Sequence, residues 1–280
     1  MVSIKYSKAL TAFMMIASCT MLVSCYKKFD TKSYAPALVI GGFTSSKEIA
    51  PANLVAYWSF DGSYIDSISG TLAENNGTTL VTGYKGQAMQ GALNSYVLAT
   101  PPASITGMTS FTVGYWVNSP LHPAGIAGIV ALANTNQFWG NIEMFLENGG
   151  TLEAMKFRAK VITNGTTEIG IDKDGVVNFY TKWNHLALSY DETTSTFKFY
   201  VNGAVSTSKV VAATGPLSFV NNGKIVFGTA SFQTTPSQTT HGPEPWASFM
   251  TGQLDEVRFY NKALTDGEIS ALVKLEGRGK

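Results

Sequence analysis

The feature of this sequence that most limits its fold is a repeated alternation of apolar side chains with a period of two. Residues 111–117, 157–161, 185–190 and 197–201 each place an apolar or aromatic side chain at every second position. Successive side chains of a β-strand point to opposite faces, so this period is typical of half-buried strands. About a dozen such runs, separated by Gly, Asn, Pro and Thr clusters, predict an all-β sandwich of two antiparallel sheets.

Two local signals add detail to this prediction. Asn202-Gly203 suits the two positive-φ positions of a type I′ turn, which predicts a hairpin between Phe197–Val201 and Ala204–Lys209. Near the end of the chain, Thr265 and Glu268 have the spacing of a capping box and precede an apolar run. The sequence therefore predicts one short C-terminal helix.

Composition excludes several classes of protein. With 14% charged and 45% hydrophobic residues, the chain has too few charges for a coiled coil and too much apolar material for a disordered protein. Its net charge of +1 offers no basic surface, so we expect no nucleic-acid partner.

The N-terminal segment predicts export. Lys5 and Lys8 precede the apolar or small residues Ala9–Ser24, the layout of a secretory signal peptide. Leu22–Cys25 resembles a bacterial lipobox, which implies cleavage after residue 24 and lipidation of Cys25. We therefore expect a lipoprotein anchored to a membrane, the outer membrane by preference, with its cell-surface or periplasmic orientation left open.

The remaining sequence divides into two parts. Residues 25–52 carry several lysines and a Gly-Gly pair and are predicted to form a lipidated tether. Residues 53–280 carry the strand signals and contain no internal repeat, so they are predicted to form one domain.

Six blocks of this domain, in order, resemble the concanavalin A-like lectin/glucanase jelly roll in its laminin-G-like form. The blocks are Leu54–Gly62, Lys85–Ala88, Phe111–Val117, Trp183–Tyr190, Phe199–Gly203 and Gly252–Tyr260. This resemblance implies the fold but not one function, because the jelly roll serves lectins, glycoside hydrolases and protein-binding adhesion modules.

One candidate site is a pair of carboxylates. Glu143 and Glu147 lie four residues apart, so on a strand both project from one face. β-Glucanases of the superfamily use Glu-x-Asp-x-Glu on one strand, with the outer glutamates as nucleophile and acid/base. Here Phe145 stands in place of the central aspartate, which argues against catalysis because the group that tunes the pair is missing.

A second candidate is a calcium site. On a regular strand, Asp255 would share a face with Val257 and Phe259, and a carboxylate there needs hydrogen bonds or a metal. The resemblance implies a structural Ca²⁺ at the aspartate of the final strand. Asp61 is the candidate for a second carboxylate ligand, and a hydrogen-bonded buried acid is the alternative.

The third candidate is a glycan-binding surface. Trp139 and Trp246 lie in loops, unlike the other tryptophans, and sugar rings stack on exposed aromatic rings. Asn136, Gln137 and His241 flank them with side chains that form hydrogen bonds with hydroxyl groups.

These features favour a non-catalytic glycan-binding lipoprotein. Lipid-anchored proteins of this kind are familiar from Bacteroidetes, where they hold polysaccharide near a transporter and an enzyme, so such partners are expected. Two alternatives stay open: a glycoside hydrolase acting through Glu143 and Glu147, and a protein-binding or adhesion module.

Overall fold

Two antiparallel sheets stacked face to face account for the strand patterns of the sequence. The computed structural model describes residues 38–121, 125–151 and 154–280. Cys25 and the predicted signal peptide lie outside the described residues. The predicted all-β sandwich is confirmed.

The strands up to the middle of the chain are β1 (Leu54–Trp58), β2 (Glu74–Asn76), β3 (Thr79–Thr82), β4 (Gln87–Gln90), β5 (Tyr96–Ala99), β6 (Phe111–Asn118), β7 (Ile126–Asn134) and β8 (Ile142–Thr151). The later strands are β9 (Ala154–Thr163), β10 (Thr167–Val177), β11 (Trp183–Asp191), β12 (Thr196–Val201), β13 (Ala204–Val210), β14 (Asn222–Phe227), β15 (Ala247–Ser248) and β16 (Gln253–Tyr260). The helices are α1 (Ala103–Thr106) and α2 (Asp266–Glu276), with 3₁₀ turns at Ser46–Glu48, Pro51–Asn53 and Ser231–Gln233. Within the part of the chain that the structure describes, no helix has the length and apolar character needed to cross a bilayer.

Each sheet has eight strands. Sheet 1 has the order β13-β12-β11-β6-β16-β4-β3, and β1 also pairs with β16. Sheet 2 has the order β10-β9-β8-β7-β14-β5-β2, and β15 also pairs with β7. The predicted hairpin is confirmed as β12 and β13, joined by Asn202 and Gly203 with φ angles of 51° and 82°.

The main core lies between the sheets and consists of the alternating apolar residues of both. Phe157 of sheet 2 stacks on Phe199 of sheet 1, with ring centroids 3.7 Å apart. Trp58 contacts Phe227 edge-to-face at 5.0 Å, again across the two sheets. Each such ring removes a large apolar area from water, so these contacts hold the sheets together.

Helix α2 covers the outer face of sheet 1. It begins with the predicted capping box, in which Thr265 and Glu268 bond reciprocally to each other's backbone N–H. Its apolar side pairs with Tyr200 and Tyr260 in a second buried cluster, which Ile49 completes. The compact unit consequently begins at residue 39, ahead of the domain start predicted at residue 53.

The final strand departs from the regular alternation. Glu256 has a positive φ of 54°, and the register of β16 against β6 shifts between Asp255 and Arg258. This β-bulge inserts one extra residue and changes which face the next residues occupy. Asp255 lies opposite Trp116, on the outer face of sheet 1. The prediction that it shares a face with Val257 and the core was therefore wrong.

The bulge also creates a buried cluster of charges beneath α2. Arg258 bonds to Glu256 and to Glu276, all three of them buried. Trp116 Nε1 donates to Glu276 Oε2 at 2.7 Å, and the Tyr57 hydroxyl donates to Glu256 Oε1 at 2.8 Å. The cluster connects the helix to the final strand of sheet 1.

Replacing Arg258 with methionine tests this connection. We expect Arg258→Met to lower the free energy of unfolding by about 3–5 kcal/mol, because Glu256 and Glu276 would then be buried without a counter-charge. Urea denaturation measures the change. Lys160→Met, which removes the exposed ion pair with Glu168, is the control and should cost at most about 1 kcal/mol. Equal losses in the two variants would contradict this role of Arg258.

Candidate functional site

An aromatic patch lies on the outer face of sheet 2, where the β7–β8 loop meets the long segment between β14 and β15. Its members are Phe138, Trp139, Phe145, Phe232, His241 and Trp246. Trp139 stacks on Phe145 with 5.2 Å between ring centroids, and Phe138 stacks on Phe232 at 4.6 Å. The structure thus brings together three of the residues predicted for glycan binding, which lie about 100 positions apart in the sequence.

The patch has a buried layer and an exposed layer. Phe145 and Phe232 are buried and form its floor. Trp246 is 41% exposed and lies 5.4 Å from Phe232 and 6.3 Å from Trp139, measured between ring centroids. His241 is exposed and contacts Phe138 edge-to-face at 4.7 Å. The exposed rings can therefore receive the apolar face of a ligand.

Glu143 anchors the segment that carries Phe232 and Trp246. Its carboxylate is fully buried and accepts hydrogen bonds from Ser231 N (2.8 Å), Ser231 Oγ (2.7 Å) and Gly140 N (3.0 Å). Burial raises the pKa of Glu143 to about 7, although these hydrogen bonds act to lower it. The carboxylate holds a neighbouring loop and is closed off from solvent.

Glu147, the other predicted carboxylate, lies at the edge of a charged strip. On the same face of β8, β9 and β10, Arg158 pairs with Glu147 at 2.9 Å and with Asp174 at 2.6 Å. Lys160 pairs with Glu168 at 2.9 Å. Phe145 lies directly opposite Arg158 in the register, so the strip adjoins the aromatic patch. The strip therefore offers hydrogen-bond donors on basic side chains and acceptors on acidic ones.

The two predicted amide residues lie on the rim of the patch. Asn136 is exposed and Gln137 half-buried. Asn134 fixes their loop, since its Oδ1 accepts from Asn136 N at 2.9 Å and its side-chain amide donates to Asn141. The Gln137 carbonyl accepts from Thr240 N at 3.3 Å, which links the two loops of the site.

Three members of the patch were not predicted as site residues. Phe138 adjoins predicted residues, and Phe145 was noted only as the replacement for an aspartate. Phe232 carries no signal in its immediate sequence. Phe232 lies in the long segment between β14 and β16, which is poor in regular structure. The length of this segment is an indication of a site, because such segments in compact domains are usually functional.

A family model for Laminin_G_3, described as the concanavalin A-like lectin/glucanases superfamily, matches residues 90–270. The chain belongs to this family. The matched residues contain the whole aromatic patch and Glu143. No protein of curated function matches the sequence.

Solved structures of this fold are distant in sequence. The receptor-binding domain of botulinum neurotoxin type G superposes with a TM-score of 0.53 and 14% identity, over 80% of this chain and 51% of that one. The serotype D binding domain gives 0.57 and 13%, over 82% and 52%. The binding domain of botulinum neurotoxin DC in complex with SialylT gives 0.55 and 14%, over 83% and 52%. The Laminin_G_3 chain thus spans about half the length of these structures, and the likeness shows the fold alone.

The predicted calcium ligands approach a single loop of sheet 1. Asp255 Oδ2 accepts from Lys85 N at 2.9 Å, and Asp61 Oδ1 accepts from Gln87 N at 2.7 Å. Burial, with the charges of Glu256 and Asp61 adding to it, raises the pKa of Asp255 to about 8. Asp255 is thus a buried acid that also accepts a hydrogen bond from Glu256 N at 2.8 Å.

Two glycines let this loop close over the carboxylates. A Cβ on Gly83 would lie 2.6 Å from Asp255 Oδ2, and one on Gly86 would lie 1.9 Å from Asp61 Oδ1. As acid ligands the two aspartates fit a hard cation. In the described ranges there is no cluster of three or more Asp, Glu, His or Cys, so carbonyl oxygens and water would complete such a site.

The buried carboxyl of Glu143 predicts a pH dependence of stability. Its pKa of about 7 in the folded state exceeds the ordinary 4.5, so the folded chain binds the proton more tightly than the unfolded chain does. This contribution is complete below pH 4.5 and is lost as the pH rises through 7, on the order of 3 kcal/mol.

Unfolding free energies measured between pH 4 and 8 test this prediction. Glu143→Gln should flatten the decline relative to the unaltered chain, since glutamine does not titrate. Glu147→Gln, on the same face but half-exposed, should leave the decline unchanged. Identical pH profiles for Glu143→Gln and the unaltered chain would show that Glu143 is not the titrating group.

Proposed function

We propose that this protein is a non-catalytic, glycan-binding lipoprotein. The observation that carries the proposal is the aromatic patch, where exposed Trp246 and half-buried Trp139 adjoin a strip of paired charges. Saccharides present apolar C–H faces and a rim of hydroxyls, and the patch and strip match these two surfaces. Among structures of this fold, the binding domains of botulinum neurotoxins DC and D were solved with SialylT and with N-acetylneuraminic acid, which supports the proposal.

The position of Glu143 argues against the hydrolase alternative. A retaining glycosidase needs two carboxyl groups about 5–5.5 Å apart, both of them in reach of the glycosidic bond. Glu143 is fully buried and already accepts three hydrogen bonds, while Phe145 between the glutamates stacks on Trp139. A substrate on the aromatic patch would meet Trp139 and the loop before it met this carboxylate.

The lipid anchor belongs to the same proposal. Cys25 carries the lipid, and the segment that follows it tethers the domain to the membrane. The compact unit begins beside α2, where Ile40 and Phe43 pack on the outer face of sheet 1. The aromatic patch lies on the other outer face of the same unit, that of sheet 2. A lipid-anchored domain with such a patch suits capture of polysaccharide for a transporter or enzyme partner in an outer membrane of the Bacteroidetes kind.

A protein ligand is the second candidate. The binding domain of botulinum neurotoxin DC, which has this fold, was also solved with rat synaptotagmin II. An apolar patch with aromatic anchors suits a protein partner as well.

Polysaccharide affinity gels test the glycan proposal. The full chain in detergent should be retarded by at least one neutral polysaccharide, without release of reducing ends. Trp246→Ala and Trp139→Ala should each weaken retention by about tenfold, because a stacked ring is lost. Trp183→Ala, a half-buried tryptophan on sheet 1, is the matched control and should bind normally.

Three results would contradict this proposal. Product release that Glu143→Gln abolishes would identify a hydrolase. Retention unaffected by either tryptophan variant would place the glycan elsewhere. A folded chain that no polysaccharide of a broad panel retards would favour the protein ligand.

The proposal also includes a structural Ca²⁺ held by Asp255 and Asp61. A bound cation would favour the ionised form of a buried acid whose pKa is otherwise raised. Calcium at a hundredfold excess over its Kd should stabilise the full chain by about 3 kcal/mol, measured as a rise in Tm. Asp255→Asn should abolish the rise, and Asp172→Asn, an exposed control, should retain it. The same Tm with calcium and with chelator would contradict the site.

A further inference from the structure

A cavity on the outer face of sheet 1 lies on the opposite side of the sandwich from the aromatic patch. It has a volume of about 610 Å³, within the range of small-molecule sites. Its floor is formed by β11 and β12, and its wall by the segment that leads into α2. The lining residues with polar side chains are Ser189, Asp191, Thr194, Thr196, Lys198, Tyr200, Thr265 and Asp266.

A second cavity extends the first into a groove. It has a volume of about 320 Å³ and shares Asp191 and Ala263 with the larger one. Glu192 lines it, and its Oε2 is buried without a hydrogen-bond partner among the described residues. This atom is closed to solvent, so a ligand in the groove would meet the half-exposed carboxylate of Asp191 instead.

The groove presents charged groups of both signs. Asp191, Glu192 and Asp266 line it with carboxylates, which repel an anion. The ammonium groups of Lys198 and Lys262 also line the groove and pair with Asp266 and Glu268, each at 2.8 Å. A neutral ligand with many hydroxyl groups can donate to the carboxylates and accept from the ammonium groups.

We propose that this groove binds a neutral oligosaccharide, at a second site on the face opposite the aromatic patch. Hydroxyl groups of the sugar bond to Asp191 and to the Lys198–Asp266 pair. The threonine and serine hydroxyls of the floor complete the polar lining. The site relies on hydrogen bonds, because the one aromatic ring of its lining, Tyr200, is buried and donates to Asp266.

Hydrogen–deuterium exchange mass spectrometry separates the two faces. The full chain in detergent is measured with cellotetraose, laminaritetraose, maltotetraose and xylotetraose. We expect at least one tetrasaccharide to slow exchange in segments 191–196 and 261–267. Asp191→Asn should weaken this protection by about tenfold, because a charge-assisted hydrogen bond is lost while the Thr193 bonds to Asp191 Oδ1 can persist.

The control is Lys274→Gln, an exposed lysine of α2 outside the groove, which should leave the protection unchanged. Protection confined to segments 134–147 and 231–246 would overturn the groove proposal and leave the proposed function standing. Protection confined to the groove would support it and contradict the role of the aromatic patch. Groove protection that survives Asp191→Asn, or no protection there with any probe, would overturn it.

Discussion

The outer face of sheet 2 depends on one buried carboxylate. A carboxyl group removed from water is tolerated only where donors replace the water, and Glu143 has three of them. Two come from Ser231, 88 positions away in the sequence. These bonds hold the long segment between β14 and β15 against β8. Phe232 and Trp246 belong to this segment, so the bonds also place their rings on the outer face of sheet 2. In this chain Glu143 thus serves to build a surface.

The two faces of the sandwich are closed by different means, and this makes them chemically different. A helix covers sheet 1, and Arg258 joins its end to the final strand through Glu276. Where the helix begins, the sheet stays uncovered and forms a groove of carboxylates, hydroxyls and two ammonium groups. A loop covers part of sheet 2. Aromatic rings fill the space between this loop and the sheet, and Trp246 stays exposed. One fold therefore offers an aromatic surface and a polar one.

Local signals in the sequence predicted local structure. Asn202-Gly203 and the Thr265–Glu268 box act within a few residues, and both are confirmed because no distant contact decides them. The face occupied by Asp255 was predicted wrongly, since the bulge falls on Glu256, where no glycine marks a positive φ. Loop tryptophans indicated the site, but which residues back them could not be predicted, because a contact between β8 and a distant loop sets the geometry.

The exposure of Trp246 is not a sign of a loose loop. Its carbonyl accepts from Ile126 N at 3.2 Å, and the next residues pair with β7 as strand β15. Gln233 bonds to the backbone of Glu244 on both sides, which fixes the segment before it. The ring is thus held at the surface by a rigid backbone, although its burial would stabilise the fold. A preformed aromatic surface loses little conformational entropy when a ligand binds, so the exposed ring is better explained by recognition than by packing.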